Sequence, residues 1–362
     1  MRRALAALAV AAGFLPAICH AAPPRDNWQD DWQRTLDAAK AEGQLTVSAP
    51  SGGVWRAELA RFQDAYPDIK LAMTAFSGRD FWARFMKERE VGQYLWDLRI
   101  GGYDAQLYQI KEAGHLQSVR DLLVLPEVTD DSRWIGGLDL AFLDREQKYV
   151  LSFVAVDAMV ARFNKQFVGP TLAAADLIDP KWSGRISMAD PRGGNALNGL
   201  GSLYKHHGAD FVRTLLADQK PVLTNVPRQQ MDWLMSGRYP IAFGLPSAML
   251  VEYADGGGDV SMIGNMTGVT QISMGVGGIS VPTRNPHPNA TKVFVNWLLT
   301  KDVQERLMQK VKLNSRRADV PLGAPDFALD RSRIDDYDSS QSDDAKPYLD
   351  EVKKLLAETS KR

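Results

Sequence analysis

Cysteine is nearly missing: the only one in 362 residues is Cys19. A chain with no later thiol builds no Cys metal site and has no thiol nucleophile or disulfide framework. An excess of one charge is also missing. Lys and Arg number 43 against 44 Asp and Glu, a net charge of −1, and no basic stripe suggests a nucleic-acid footprint. Beyond residue 21 no apolar run reaches the ~20 residues that span a bilayer. Histidines are few, and His206-His207 is the only adjacent pair. Neighbours on a helix point about 100° apart and chelate poorly, so an exposed helix end is expected there. No His-Glu-x-x-His or calcium-loop spacing occurs. Gly-x-Ser-x-Gly and Gly-x-Gly-x-x-Gly are missing too: Gly278-Ile279-Ser280-Val281-Pro282 fails at its last position. What remains is an ordinary globular composition, 45% hydrophobic, long enough for two domains.

The first residues stand apart. Met1-Arg2-Arg3 is cationic, 4–14 is apolar, and Ala21-Ala22 offers small residues for cleavage, the pattern of a secretory signal peptide over 1–21. Lipid attachment at Cys19 is the alternative, and bulky Ile18 before it argues against that. Removing 1–21 leaves 41 Lys and Arg against 44 Asp and Glu, a charge of −3, and no cysteine. The expectation is an exported, periplasmic protein without disulfides.

The rest reads as α/β. A helix over 27–41 carries Trp28, Trp32, Leu36 and Ala39 on one face, with Gly43 to stop it. Strands over 44–48, 69–74 and 96–100 each run into a small-residue loop and then a helix. Such repeats predict a parallel sheet with crossover helices, whose ligands sit beyond the carboxyl ends of the strands. Ser51, Gly52, Gly53, Ser77, Gly78 and Gly102 fall on that rim. A tight turn alone also explains each of them. A second set follows, with strands over 184–188, 222–224 and 239–243 and loops holding Arg192, Gly193, Asn195, Arg228 and Ser247. Two long apolar segments, 149–156 and 274–281, bracket this set. They predict two hinge crossings, with one lobe from 22–151 plus 279–362 and the other from 152–278.

Five segments together resemble the periplasmic solute-binding proteins of ABC importers, in the group that includes the iron(III)-binding ones. They are Asp37-Ala38-Ala39-Lys40-Ala41-Glu42-Gly43, Tyr66-Pro67-Asp68-Ile69, and the run from Asp179-Pro180-Lys181-Trp182 to Ile186. Arg228-Gln229-Gln230-Met231-Asp232-Trp233-Leu234 and Asn285-Pro286-His287-Pro288-Asn289-Ala290-Thr291 complete the set. The resemblance implies a two-lobed, type II-like fold, each lobe a sheet flanked by helices. It also implies a monomeric clamp that captures a small solute and docks on an inner-membrane permease, with no catalysis and no cofactor.

Iron-binding members carry adjacent tyrosines where this chain has Gly244-Leu245-Pro246-Ser247, so no metal site is expected here. Arginines point instead to an organic anion, because guanidinium pairs bidentately with carboxylate or phosphonate. Arg192 lies in the glycine-rich loop after a second-lobe strand, and Arg228 opens a helix beyond another strand. Arg317 lies in Ser315-Arg316-Arg317-Ala318-Asp319-Val320, similar to a family segment that returns to the cleft edge. A surface charge or structural ion pair is the other fate open to each. Trp55, Tyr103 and Phe153 are candidates for an aromatic wall, or for the core. The remaining readings are iron(III) transport, an exported hydrolytic enzyme and a sensory ligand-binding subunit.

Overall fold

The computed structural model describes residues 27–359 except Ser77, Asp104, Met159, Gly193 and Ser340. The expected leader over 1–21, with Cys19, lies outside the described residues. In chain order, β1 (Gln44–Ala49), β2 (Lys70–Ala75), β3 (Leu98–Gly101), β4 (Leu116–Gln117) and β5 (Val150–Ser152) come first. A short strand β6 (Val156–Asp157) leads to β7 (Ala161–Asn164), β8 (Ile186–Ala189), β9 (Val222–Thr224), β10 (Ile241–Phe243) and β11 (Ile263–Asn265). Then β12 (Thr270–Ser273) leads back to β13 (Gly278–Pro282), and β14 (Tyr337–Asp338) comes last.

One sheet has the order β2-β1-β3-β13-β4, with β5 also on β13, and the other runs β11-β7-β10-β8-β9. We call these the first and second lobes. β1 pairs parallel with β2 and β3, and β8 parallel with β10 and β9, as strand–helix–strand crossovers require. β13 is antiparallel to both β3 and β5, because it enters the first sheet from the other lobe. Glycine ends two helices, at Gly43 as the sequence predicts. Gly43 (φ 68°) closes Trp28–Glu42 and Gly237 (φ 71°) closes Pro227–Ser236, both left-handed.

Each lobe has its own core. Leu45, Val47, Phe62, Phe294 and Leu298 meet in the first. Phe163, Ile186, Leu200 and Phe243 meet in the second. Trp55 and Phe153 are buried in the first core, so neither forms a cleft wall. Tyr103 packs on Tyr108, with ring centroids 4.4 Å apart.

Two expectations need correction. The predicted long strand over 149–156 is broken into β5 and β6, and β6 and β12, on the two expected crossings, pair with each other, with β14 as a third strand beside them. The tail after 279 also does not stay in the first lobe. Its last helix, Lys346–Thr359, buries Val352 and Leu355 in the second core, against Gly194–Ala217. Leu349, Val352 and Leu355 recur on one helical face, which needs an apolar surface to cover it. Gly201 permits the close approach: a Cβ there would lie 2.7 Å from Leu349 Cδ2. The sequence shows the apolar face but not which lobe receives it.

Candidate functional site

A cavity of about 590 Å³ lies between the lobes beside the hinge. Val156, Asp157 and Ser273 of the hinge strands line it. The first lobe contributes Lys312 and Leu313, which follow the helix Lys301–Val311. The second lobe contributes Asn195 and Ser247, each in the first turn of a helix, Gly194–Ala217 and Ser247–Asp255. Two helix N-termini thus open on one space. Their positive dipole ends favour an anion.

Behind Ser247 sits Arg162, on β7 and only 1% exposed. Its Nη2 donates to Ser247 Oγ at 2.6 Å, while Nε and Nη1 have no hydrogen-bond partner. Burial pulls its pKa down to about 10, partly opposed by the nearby Asp157 charge, so it remains a cation at neutral pH. A buried, under-satisfied guanidinium is costly and calls for a functional explanation. Because the Ser247 oxygen accepts from Arg162, its own proton is free to donate toward the cavity. Asp157 accepts from Tyr337 Oη at 2.9 Å. Burial, with Asp157 beside it, raises the Tyr337 pKa to about 12. Glu252 and Asp255 line the same cavity from the exposed side of their helix.

The residues expected from sequence separate into groups. Asn195 and Ser247 line the interlobe cavity. Gly52 and Gly53 line a separate first-lobe depression of about 240 Å³, with Ser51 exposed beside it. Gly78 begins the helix Gly78–Glu90. Gly102 lies close to β12's exit, where a Cβ would meet Gly275 O at 3.0 Å. Ser77 and Gly193 lie outside the described residues. Arg192 does not reach the interlobe cavity. Its side chain is exposed and turns back on Asp190, with Nε 2.8 Å from Oδ1, and it lines a second-lobe groove instead. Arg228 is exposed, lies 3.3 Å from Asp232 and sits over the Tyr253 ring.

Arg317 is not at a cleft edge. It is fully buried in the first lobe and bonds both Asp319 oxygens at 2.9 Å and the carbonyls of Glu127 and Leu299. Those four acceptors are what a buried guanidinium requires, so Arg317 is a structural group. His206 is not a free helix end either, since its Nε2 lies 2.6 Å from Asp338 Oδ2.

Arg162, Asp157 and Lys312 were not anticipated from sequence. The available signal for Arg162 was a lone charge inside the apolar run Val160-Ala161-Arg162-Phe163. Asp157 and Lys312 carry no comparable mark.

No family model and no curated protein matches the sequence. The fold is similar to that of solved binding proteins. Mannheimia haemolytica ferric iron-binding protein A in an open conformation is 14% identical with a TM-score of 0.66, over 88% of this chain and 98% of that one. The Trichodesmium protein IdiA (FutA), solved with iron and citrate, is 16% identical with a TM-score of 0.66, over 88% and 99%. Periplasmic binding protein AfuA from Actinobacillus pleuropneumoniae, solved with fructose-6-phosphate, is 19% identical with a TM-score of 0.56, over 88% and 99%. The two-lobed fold is therefore shared across nearly the whole chain. Among the described residues no helix is long and apolar enough to cross a membrane.

Proposed function

We propose that this protein is the periplasmic substrate-binding component of an ABC importer. It captures a small organic anion between its lobes as a monomer and delivers it to the permease without chemical change. The observation that carries the reading is Arg162, an under-satisfied buried cation whose bonded Ser247 faces the interlobe cavity. A carboxylate or phosphonate head accepts from Ser247 and lies in the field of Arg162 and of two helix N-termini. Asp157 on the hinge, with Glu252 and Asp255 further along the Ser247 helix, suits a ligand that also carries an ammonium group. An aminoalkyl phosphonate or amino-carboxylate satisfies both.

Closure follows from differential binding. A ligand that bridges Asn195 and Ser247 to the first-lobe groups near Lys312 makes more contacts with the lobes together than apart, and so shifts the population toward the closed form. The similarity to ferric-binding proteins keeps iron in view. Here Gly244-Leu245-Pro246-Ser247 follows β10, and among the described residues no cluster of three His, Cys, Asp or Glu is placed to hold a metal.

Calorimetry on the purified protein, with aminoalkyl phosphonates, plain alkyl phosphonates, amino-carboxylates, sugar phosphates and ferric citrate, tests the reading. The expected result is binding by the amino-bearing anions, with recovery of unchanged ligand. Binding by ferric ion alone, or conversion of any ligand, overturns it.

A further inference from the structure

A second and larger space, about 700 Å³, lies on the other face of the hinge. Leu140 and Phe142 of the first lobe, Asn198 and Ser202 of the second, and Tyr337 and Asp338 of β14 all line it. On β12, Ser273 faces the front cavity and its neighbour Ile272 faces this rear one, as the two-residue repeat of a strand requires. The helix Gly194–Ala217 likewise offers Asn195 to the front and Asn198 to the rear.

Arg316 forms part of the rear wall and is 3% exposed. Its Nη2 donates to Leu140 O at 2.6 Å, and its Nε has no partner. The other charges of this cavity are mostly matched within it. Lys205 and His206 both bond Asp338, Arg145 bonds Asp344, and Asp144 accepts from the backbone N–H groups of Lys148, Tyr149 and Val150. Among the described residues Arg316 is the cation of this cavity without an acidic partner, and Phe142, Ile272 and Tyr348 supply apolar wall to the same cavity.

We propose that the rear cavity is a second binding site, for a small monocarboxylate with an aromatic or branched apolar body, and that its occupant opposes closure of the front cleft. The carboxylate meets Arg316 and the body fills the apolar wall. Both cavities are lined by both lobes, and the hinge strands lie between them. A rotation about those strands that narrows the front gap widens the rear one. An occupant that fits the rear cavity as it stands loses contacts on closure, so it and the front ligand weaken each other by the same factor. The coupling rests on the clamp reading above, whereas the site itself does not.

Benzoate is the probe, with benzamide as its uncharged counterpart, titrated calorimetrically into the purified protein and two variants. Arg316→Gln removes the charge, and Ser339→Trp fills the cavity with Arg316 in place. The expected result is saturable benzoate binding, at least tenfold weaker benzamide binding, and a loss of at least tenfold in either variant. Spin labels on cysteines placed at Val54 and Leu223, exposed on the first and second lobes, report the separation of the lobes. Benzoate should suppress the shortening that a front-cleft ligand produces, and should not do so in Arg316→Gln. Absence of saturable benzoate binding, or binding that survives both variants, overturns the site. Benzoate binding without effect on the label distance overturns the coupling. If no front ligand shortens the distance, the clamp reading fails, while the calorimetry still decides the rear site.

Discussion

Arg162 in the second lobe and Arg317 in the first are buried to the same degree, 1% and 0% exposed, yet their surroundings differ completely. Arg317 meets two carboxylate oxygens and two carbonyls and holds together the segments around Glu127, Leu299 and Asp319. Arg162 meets one serine hydroxyl and leaves two buried nitrogens unbonded, and that serine lines a cavity. Burial alone therefore says little about function. A satisfied buried charge is architecture, and an unsatisfied one at a cavity wall is a reason to expect a ligand.

Substitutions can break this contrast, beginning with the largest expected effect. Arg317→Met strands the carbonyls of Glu127 and Leu299 and leaves the Asp319 carboxylate to Arg133 alone. It should lower unfolding free energy by ~2–5 kcal/mol, at ~1–3 kcal/mol for each buried carbonyl left unbonded, with ligand affinity unchanged in the folded protein. Urea unfolding and calorimetry read the two halves of that statement separately. Arg162→Met should do the reverse. Affinity for the anion should fall by ~1–1.5 kcal/mol, because the charge acts through Ser247, while stability holds or rises. Unchanged affinity would remove the anion reading.

Smaller effects sharpen the comparison. Ser247→Ala deletes the hydroxyl between Arg162 and the cavity and should weaken binding by ~1 kcal/mol, with little change in melting temperature. Arg228→Ala, an exposed residue paired with exposed Asp232, should leave both affinity and stability within error. A loss of affinity there would show that closure brings Arg228 into the site.

Much of the fold was legible. The alternation of short apolar runs with small-residue loops and amphipathic helices marks the strands β1, β2, β3, β8 and β10 and the helices after them. The presence of a second sheet, with strands from Ala161 to Asn265, was legible for the same reason, since apolar segments bracket an α/β set. The site was less so. Arg192, Arg228 and Arg317 were conspicuous because they sit in loops or a familiar-looking segment, but a loop arginine readily finds an acid nearby in sequence, as Arg192 does in Asp190 and Arg317 in Asp319. Arg162 was inconspicuous because its neighbours along the chain are apolar. Its relation to Ser247 spans 85 residues.

Local periodicity and turn chemistry are short-range properties, so the sequence by itself determined the strand–loop–helix units at β1, β2, β3, β8 and β10, the α/β class, the helix stop at Gly43 and the lack of a thiol after Cys19. Tertiary structure alone decided which buried arginine is satisfied, that the last helix covers the second lobe, and that the hinge has three strands with a cavity on each face. The physical reason is that hydrogen-bond satisfaction, helix docking and the shape of the space between lobes depend on groups from distant parts of the chain. Sequence spacing carries no record of where those groups meet.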